Sequence, residues 1–268
     1  MKEIMISTTT IDRSNVSSEQ LCVFLSSYAT WLLGCGATCI RLEKNVGRIA
    51  AAFNKRADIT IMPRHIHLTI TDNCLDERFT STATVMNSAI DFDMNARLSR
   101  LSWKIADSPI SLTDACKLFS KIIVPSYQSA WAVLLLASSA NASFCRLFGG
   151  DAVAMAVVFL ATFAGYLLKQ TLLARKLDVR VVFVLCAFVS SVIGSTDMLF
   201  SFGNTGPVAL GTSVLYLVPG IPFLNSFSDM LYRHYICAFC RFVDALVLTC
   251  CLSIGLCAGM MLMNIGMF

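Results

Sequence analysis

The pattern of apolar and polar positions predicts two helices at the start of the chain. From Ser18 onward, apolar residues recur at steps of three and four, the period of an amphipathic helix that Ser17 or Ser18 can cap. A second helix with the same period is predicted for residues 38–54. The two apolar faces consist of Leu21, Phe24, Leu25, Tyr28, Leu32 and Leu33, and of Ile40, Val46, Ile49, Ala50 and Phe53.

The period then changes to two, which predicts β-structure. Apolar residues alternate with polar neighbours in a strand signal that Pro63 interrupts, and the threonine-rich residues 78–86 are a candidate partner strand. The alternating apolar residues are Ile59, Ile61, Ile66, Leu68 and Ile70. A hairpin is therefore expected here.

Two further helices are predicted for residues 91–106 and 111–121. Residues 18–124 are thus expected to form a small α+β domain in the order helix, helix, hairpin, helix, helix. Residues 1–17 are polar and are expected to be a flexible N-terminus.

The rest of the chain, residues 125–268, consists of long apolar stretches that predict a five-helix transmembrane domain. Each stretch is near the roughly 20 residues that a helix needs to cross a bilayer. The predicted spans are residues 127–148, 152–173, 179–200, 207–223 and 245–266. The whole chain is 56% hydrophobic and 14% charged, with a mean hydropathy of +0.68. Because soluble domains average about 25% charged residues, the composition also favours a polytopic α-helical membrane protein.

Basic residues in one loop indicate the orientation of the spans. Lys169, Arg175, Lys176 and Arg180 lie around the connection between the second and third spans. The positive-inside rule places this loop and the N-terminal domain in the cytoplasm, so five spans leave the C-terminus outside. Twelve cysteines without a secretory signal favour a reducing compartment over a disulfide framework.

Several kinds of chemistry find no support in the sequence. The net charge of +4 is small and dispersed, which argues against a nucleic-acid partner. His65 and His67 share one strand face, and Cys237 and Cys240 are separated by two residues, but neither pair has the further ligands of a zinc site. No hydrolase or nucleotide-binding motif is found, so no enzyme activity, metal or cofactor is predicted.

A proline-rich break interrupts the fourth predicted span. Pro219-Gly220-Ile221-Pro222 lies inside an apolar stretch of the sequence, and each proline removes a backbone donor that a helix interior needs. Broken helices persist in membranes where protein or a water-filled cavity covers the freed backbone groups, and transporters bind substrates at such breaks. The plainer alternative is that Pro219 ends a span and an ordinary loop follows.

Polar residues follow this break in an otherwise apolar part of the sequence: Asn225, Asp229, Arg233, Arg241 and Asp244. Ionisable residues beside a membrane break suggest a functional site. Asp229 and Arg233 have the i,i+4 spacing of a helical ion pair, and Arg241 and Asp244 have the i,i+3 spacing. Such pairs are either structural or a proton-sensitive gate, in which the neutralised acid frees its arginine.

Two motifs carry a resemblance to a known family. The first is Gly36-Ala37 followed by Arg41-x-Glu43, within the text GATCIRLEKNVGRIAAAF. The second has three parts: Asn204-Thr205-x-Pro207, the text SVLYLVPGIPFLNSFSDM, and Arg241. Together they resemble the bacterial threonine/serine exporter family, and in particular its split-subunit, YjjP-type branch. The family commonly has a glycine shortly after the aspartate, where this chain has Arg233-His234.

The resemblance implies a subunit of a secondary exporter in a bacterial inner membrane, driven by the proton gradient. The family exports threonine and serine, and the split branch is associated with a dicarboxylate such as succinate. A separate small membrane subunit of the YjjB type is implied as partner, with a homo-oligomer as a further option.

The expected mechanism is alternating access around the broken span. Backbone groups freed at the break would bind polar parts of the substrate, Asp229 would couple the proton, and Arg241 would bind the anion or pair with the acid. The expected substrate and proton pathway comprises Asn204, Pro219, Gly220, Pro222, Asn225, Asp229, Arg241 and Asp244. Two alternatives stay open: a non-transporting scaffold or regulatory subunit, for which Arg41 and Glu43 would form an interface, and a membrane-anchored hydrolase.

Overall fold

The chain divides into two compact units in a computed structural model that describes residues 16–72, 77–85, 90–124, 129–200 and 203–265. The first unit comprises Met1–Ser126 and Leu224–Arg241, and the second comprises Tyr127–Phe223 and Phe242–Phe268. Each unit is described by itself.

The N-terminal part of the first unit contains four helices and three strands. They are α1 (Ser18–Gly34), α2 (Cys39–Ala52), β1 (Lys55–Ile61), β2 (His65–Asp72), β3 (Arg78–Thr84), α3 (Phe92–Asp107) and α4 (Leu112–Ile122). The four predicted helices are confirmed. Three of the four starts carry side-chain caps: Ser17 Oγ accepts from Glu19 N, Asp91 Oδ1 from Met94 N, and Ser111 Oγ from Asp114 N.

The sheet is an antiparallel meander of three strands in the order β1-β2-β3, and the expectation of a two-stranded hairpin was wrong. Pro63 lies in the turn between β1 and β2, which Met62 N–H closes by donating to His65 O at 2.9 Å. The alternation on its two sides therefore belongs to two paired strands, with Ile59 opposite Leu68. Met86, the predicted end of the last strand, lies outside the described residues.

The core of the first unit forms between the sheet and the helices. The inward side chains of β2, which are Ile66, Leu68 and Ile70, are fully buried together with the apolar face of α1. Tyr28 crosses this core and donates from its hydroxyl to Leu98 O at 2.9 Å. Its buried hydroxyl therefore has a partner, as burial of a polar group requires.

The remaining helices are mostly apolar, and they range from 5 to 28 residues in length. They are α5 (Ala130–Leu147), α6 (Ala152–Ala174), α7 (Val179–Gly194), α8 (Thr196–Phe200), α9 (Gly206–Ser213), a 3₁₀ turn (Leu215–Leu217), α10 (Gly220–Leu231) and α11 (Tyr235–Leu262). Within the described part of the chain, four helical segments are long and apolar enough to cross a membrane, or five if a bent pair counts as one span. In the second unit, Leu136, Leu147 and Met261 are at least 70% exposed, as lipid-facing side chains would be.

The bent pair has its bend at the predicted break. Gly206–Leu217 and Gly220–Leu231 meet at an angle of 63°. Val218, before the proline, is extended, and Pro222 lies in the first turn of α10, where no backbone donor is needed. The Pro-Gly-x-Pro motif thus ends one helix and begins the next.

The last span differs from its prediction. Helix α11 begins at Tyr235, about ten residues before the expected start near residue 245, so Arg241 lies inside a helix rather than before one. The expected end at residue 266 lies outside the described residues.

Helices α7 and α11 approach closely in the second unit. A side chain at Gly255 would overlap Val184 O and Ala187, and one at Gly259 would overlap Ser191. The two glycines have the Gly-x-x-x-Gly spacing with which membrane helices pack backbone against backbone.

Candidate functional site

A fully buried carboxylate connects two distant parts of the first unit. Asp229 on α10 has no solvent exposure, and its Oδ1 accepts a hydrogen bond from Cys39 N at 2.8 Å. Cys39 is the first residue of α2, and Thr38, at the N-cap position, makes no side-chain cap bond. Asp229 therefore caps α2 from 190 residues away, where its negative charge also favours the helix dipole.

Arg241 neutralises this carboxylate. Its Nη1 lies 2.9 Å from Asp229 Oδ2, and its Nη2 donates to Ala37 O at 2.9 Å. Nη1 is close enough to Oδ2 for an ionic contact, but the two groups lack hydrogen-bond geometry. Nη1 is therefore a buried donor without a hydrogen-bond partner. The guanidinium therefore keeps one donor that a further acceptor could use.

Asn225 completes the same cluster. It lies one helical turn before Asp229 on α10, and its Nδ2 donates to Gly36 O at 2.9 Å. Gly36 has a φ of +93°, a conformation that favours glycine, and a Cβ there would meet the Ile90 side chain. We call the group Gly36, Ala37, Cys39, Asn225, Asp229 and Arg241 the buried polar cluster.

The connection after α10 explains why Asp229 does not pair with Arg233. Helix α10 ends at Leu231, and Arg233 has a left-handed φ of +67°. His234 N then donates to Asp229 O at 2.8 Å, which closes the helix in the manner of a Schellman motif. The i,i+4 ion pair was a wrong prediction because the helix does not continue far enough to form it.

Cys39 belongs to the cluster although the sequence reading did not single it out. Its Sγ lies 3.4 Å from Asp229 Oδ2 as a donor. The Cys237 thiol, burial and the Asp229 carboxylate raise the pKa of the Cys39 thiol, so it stays protonated and able to donate. The signal that could have identified Cys39 was its position in the first turn of α2, directly after the Gly-Ala-Thr sequence.

The other two residues of the first motif lie outside the cluster. Glu43 Oε1 is 3.5 Å from His234 Nε2. Arg41 is exposed and donates to Asn95 Oδ1 at 2.8 Å. The first motif therefore has a buried part that meets the second motif and an accessible part that does not.

The second unit holds another buried carboxylate, to which the sequence analysis assigned no role. Asp197 is 1% exposed; its Oδ1 accepts from Gly203 N at 2.8 Å, and its Oδ2 is buried without a hydrogen-bond partner. Asn204 N donates to Asp151 Oδ2 at 2.8 Å in the same region. Its apolar surroundings were the signal that could have identified Asp197.

The structure thus brings together five of the predicted residues: Gly36, Ala37, Asn225, Asp229 and Arg241. Pro219, Gly220 and Pro222 form the bend, while Asp244 is exposed on α11 and Asn204 is exposed before α9. Across the described ranges, no three His, Cys, Asp or Glu side chains group as metal ligands would.

Comparison with known proteins gives one family match over most of the chain. The family described as "Putative threonine/serine exporter" (ThrE) matches residues 23–263. This range includes both motifs and the whole buried polar cluster.

Two similar proteins carry the same description, "Probable succinate transporter subunit YjjP". The one from Escherichia coli (strain K12) is 34% identical over 140 residues, which are 52% of this chain and 54% of that protein. The one from Klebsiella aerogenes is 27% identical over 234 residues, 87% of this chain and 90% of that protein. The match to the first relative thus covers about half of its length. No solved structure matches.

Proposed function

The chain belongs to the threonine/serine exporter family, and from this premise we propose that it is one subunit of a proton-gradient-driven secondary exporter of small polar carboxylate metabolites. The subunit assignment draws on the descriptions of its relatives. The proposal places the protein in a bacterial inner membrane, with a cytoplasmic first domain over residues 18–124. It also includes a five-span domain over residues 125–268, a C-terminus on the outside, and a separate small membrane partner of the YjjB type.

The observation that carries the mechanism is the buried Asp229–Arg241 pair on the α1–α2 connection. We propose that a proton neutralises Asp229 during the transport cycle. The loss of its charge would weaken both the cap on α2 and the hold on Arg241, because each depends on the carboxylate. Arg241 would then bind the carboxylate of the substrate, and the bend at Pro219 would let the two halves of the broken span reorient.

The proposed cargo shares one chemical feature, a carboxylate. Threonine, serine and succinate all carry at least one, and Arg241 suits any of them. Succinate is favoured because both relatives are described as probable succinate transporter subunits. The backbone groups at Pro219, Gly220 and Pro222 would hold the remaining polar atoms.

Asp197 is a second candidate proton carrier. Its unpartnered Oδ2 can take a proton without breaking a hydrogen bond, whereas both oxygens of Asp229 already have partners. Buried carboxylates in apolar segments commonly belong to proton relays. The two carboxylates can be separated by experiment, because an asparagine at either position keeps one acceptor oxygen.

The test is efflux from preloaded cells that lack their own exporters. The chain is expressed with and without its small partner, and labelled succinate, serine and threonine are followed with the proton gradient intact or collapsed. We expect gradient-dependent loss of one substrate only when both chains are present. No efflux of any of them, with both chains inserted, would contradict the exporter proposal and favour a scaffold.

Matched carboxylate variants test the proton role in the same cells. Asp229→Asn is expected to abolish gradient-driven efflux while the protein remains inserted. Asp107→Asn, an exposed carboxylate at the end of α3, serves as the control. Normal efflux from Asp229→Asn together with loss in Asp197→Asn would transfer the proton role to Asp197.

A further inference from the structure

A basic groove crosses the surface of the first unit between α2 and α3. Its volume is about 620 Å³, within the range of sites that hold drug-sized ligands. Four of its lining residues are cations: Arg41, Lys44 and Arg48 from α2, and Arg100 from α3. None of the lining residues is a carboxylate, so the groove has an uncompensated positive charge.

The spacing of the cations concentrates this charge on one side of α2. Arg41, Lys44 and Arg48 follow one another at steps of three and four, which places them on one helical face. The first and last are two turns apart, or about 10 Å along the axis, and Lys44 lies between them. A molecule with two or more anionic groups can therefore contact several cations at once.

Neutral partners hold the two α2 arginines in place. Arg41 Nη1 donates to Asn95 Oδ1 at 2.8 Å. Arg48 Nη1 donates to Asn45 Oδ1 at 2.9 Å and to Ser102 Oγ at 2.6 Å. These bonds fix the guanidinium groups without cancelling their charge.

Arg48 also stacks on an aromatic ring, whereas two other cations of the same unit pair with carboxylates. The Arg48 guanidinium lies 3.7 Å from the ring centre of Trp103, which is itself 55% exposed. In the same unit, Arg97 pairs with Asp93 and Lys117 with Asp114. These two surface cations thus have carboxylate partners, whereas the groove arginines on α2 contact neutral groups.

We propose that the groove is a binding site for a small organic polyanion, a molecule with at least two carboxylate or phosphate groups. Preorganised arginines are suited to both kinds of group, because their planar donor pairs match carboxylate and phosphate oxygens. This site does not include the buried polar cluster, and the proposal does not depend on transport. The same chemistry has two sources, a polycarboxylate metabolite or a nucleoside polyphosphate.

Binding to the purified full chain tests the proposal. Isothermal titration at low ionic strength would use succinate, citrate, ATP without metal, and acetate as the single-charge reference, with the protein in neutral-lipid nanodiscs. We expect citrate or ATP to bind at least tenfold more tightly than acetate. Citrate and succinate binding without ATP binding would identify the polycarboxylate source, and preferential ATP binding the nucleotide source.

Exposed cations provide the variants and the control. Lys44→Gln and Arg100→Gln should each weaken binding about tenfold, the usual effect of losing one hydrogen bond to a charged group. Lys104→Gln removes an exposed cation from α3 outside the groove and should leave binding unchanged.

Three results would overturn the proposal while circular dichroism shows folded protein. They are no binding of any probe, acetate binding as tightly as the polyanions, and equal weakening by Lys104→Gln and the groove variants. Because the assay measures binding alone, its failure would leave the exporter proposal standing, and a failed efflux experiment would leave the groove site standing.

Discussion

The cap that Asp229 provides to α2 makes a quantitative prediction about local stability. Asp229→Ala removes the acceptor for Cys39 N, a loss that typically costs about 1 kcal/mol at a helix N-cap. It also leaves Arg241 without its carboxylate. Breaking a fully buried pair costs about 3–5 kcal/mol, but the Arg241 side chain is 22% exposed and keeps its bond to Ala37, so we take about 2 kcal/mol. The sum is about 3 kcal/mol.

Asp229→Asn separates the two contributions. The amide oxygen can still accept from Cys39 N, so only the ionic part is lost, about 2 kcal/mol. The difference of about 1 kcal/mol between the two variants isolates the cap. A double-mutant cycle with Arg241→Gln would measure the ionic coupling directly.

Hydrogen exchange on the first turns of α2 is the assay, because local opening there requires loss of the cap. Backbone amides of residues 40–45 should exchange about 160-fold faster in Asp229→Ala and about 30-fold faster in Asp229→Asn. Amides of β2 provide an internal reference, and Asp107→Asn is the control variant. If residues 40–45 exchange at the wild-type rate in Asp229→Ala, the reasoning about the cap is refuted.

Three further predictions concern backbone geometry. Arg233→Gly should stabilise α10 by about 0.5–1 kcal/mol, because glycine suits the left-handed position, whereas Arg233→Ala should give no gain; thermal unfolding of the purified chain measures both. Gly36→Ala should lower the melting temperature, since φ is +93° and the added Cβ meets a neighbouring side chain. Gly259→Leu should also lower the melting temperature, because the side chain would separate α7 from α11. Gly211→Ala should not lower it, because a Cβ at Gly211 meets no atom within 4 Å. An unchanged melting temperature in Gly259→Leu would contradict close packing of the two helices.

The sequence by itself determined most of the local structure. The three- and four-residue period of α1 to α4 and the long apolar runs after residue 125 depend on neighbours within a few turns, so they can be read from one segment at a time. The break at Pro219 is local as well, because a proline lacks its backbone donor wherever the helix is placed. The hairpin prediction failed at Pro63 because a turn inside an alternating pattern looks like an interruption of one strand.

Only the tertiary structure decided the partners of the charged groups. Sequence spacing suggested that Asp229 pairs with Arg233, and the family resemblance offered Arg241 as a partner of the acid. The fold gives Asp229 both Arg241 and the start of α2. It likewise gathers Arg41 and Arg100, 59 positions apart, into one groove, and it buries Asp197 with a free oxygen. A carboxylate bonds to the donors that folding brings within about 3 Å, and spacing along the chain carries that information only where the helix continues between the two residues.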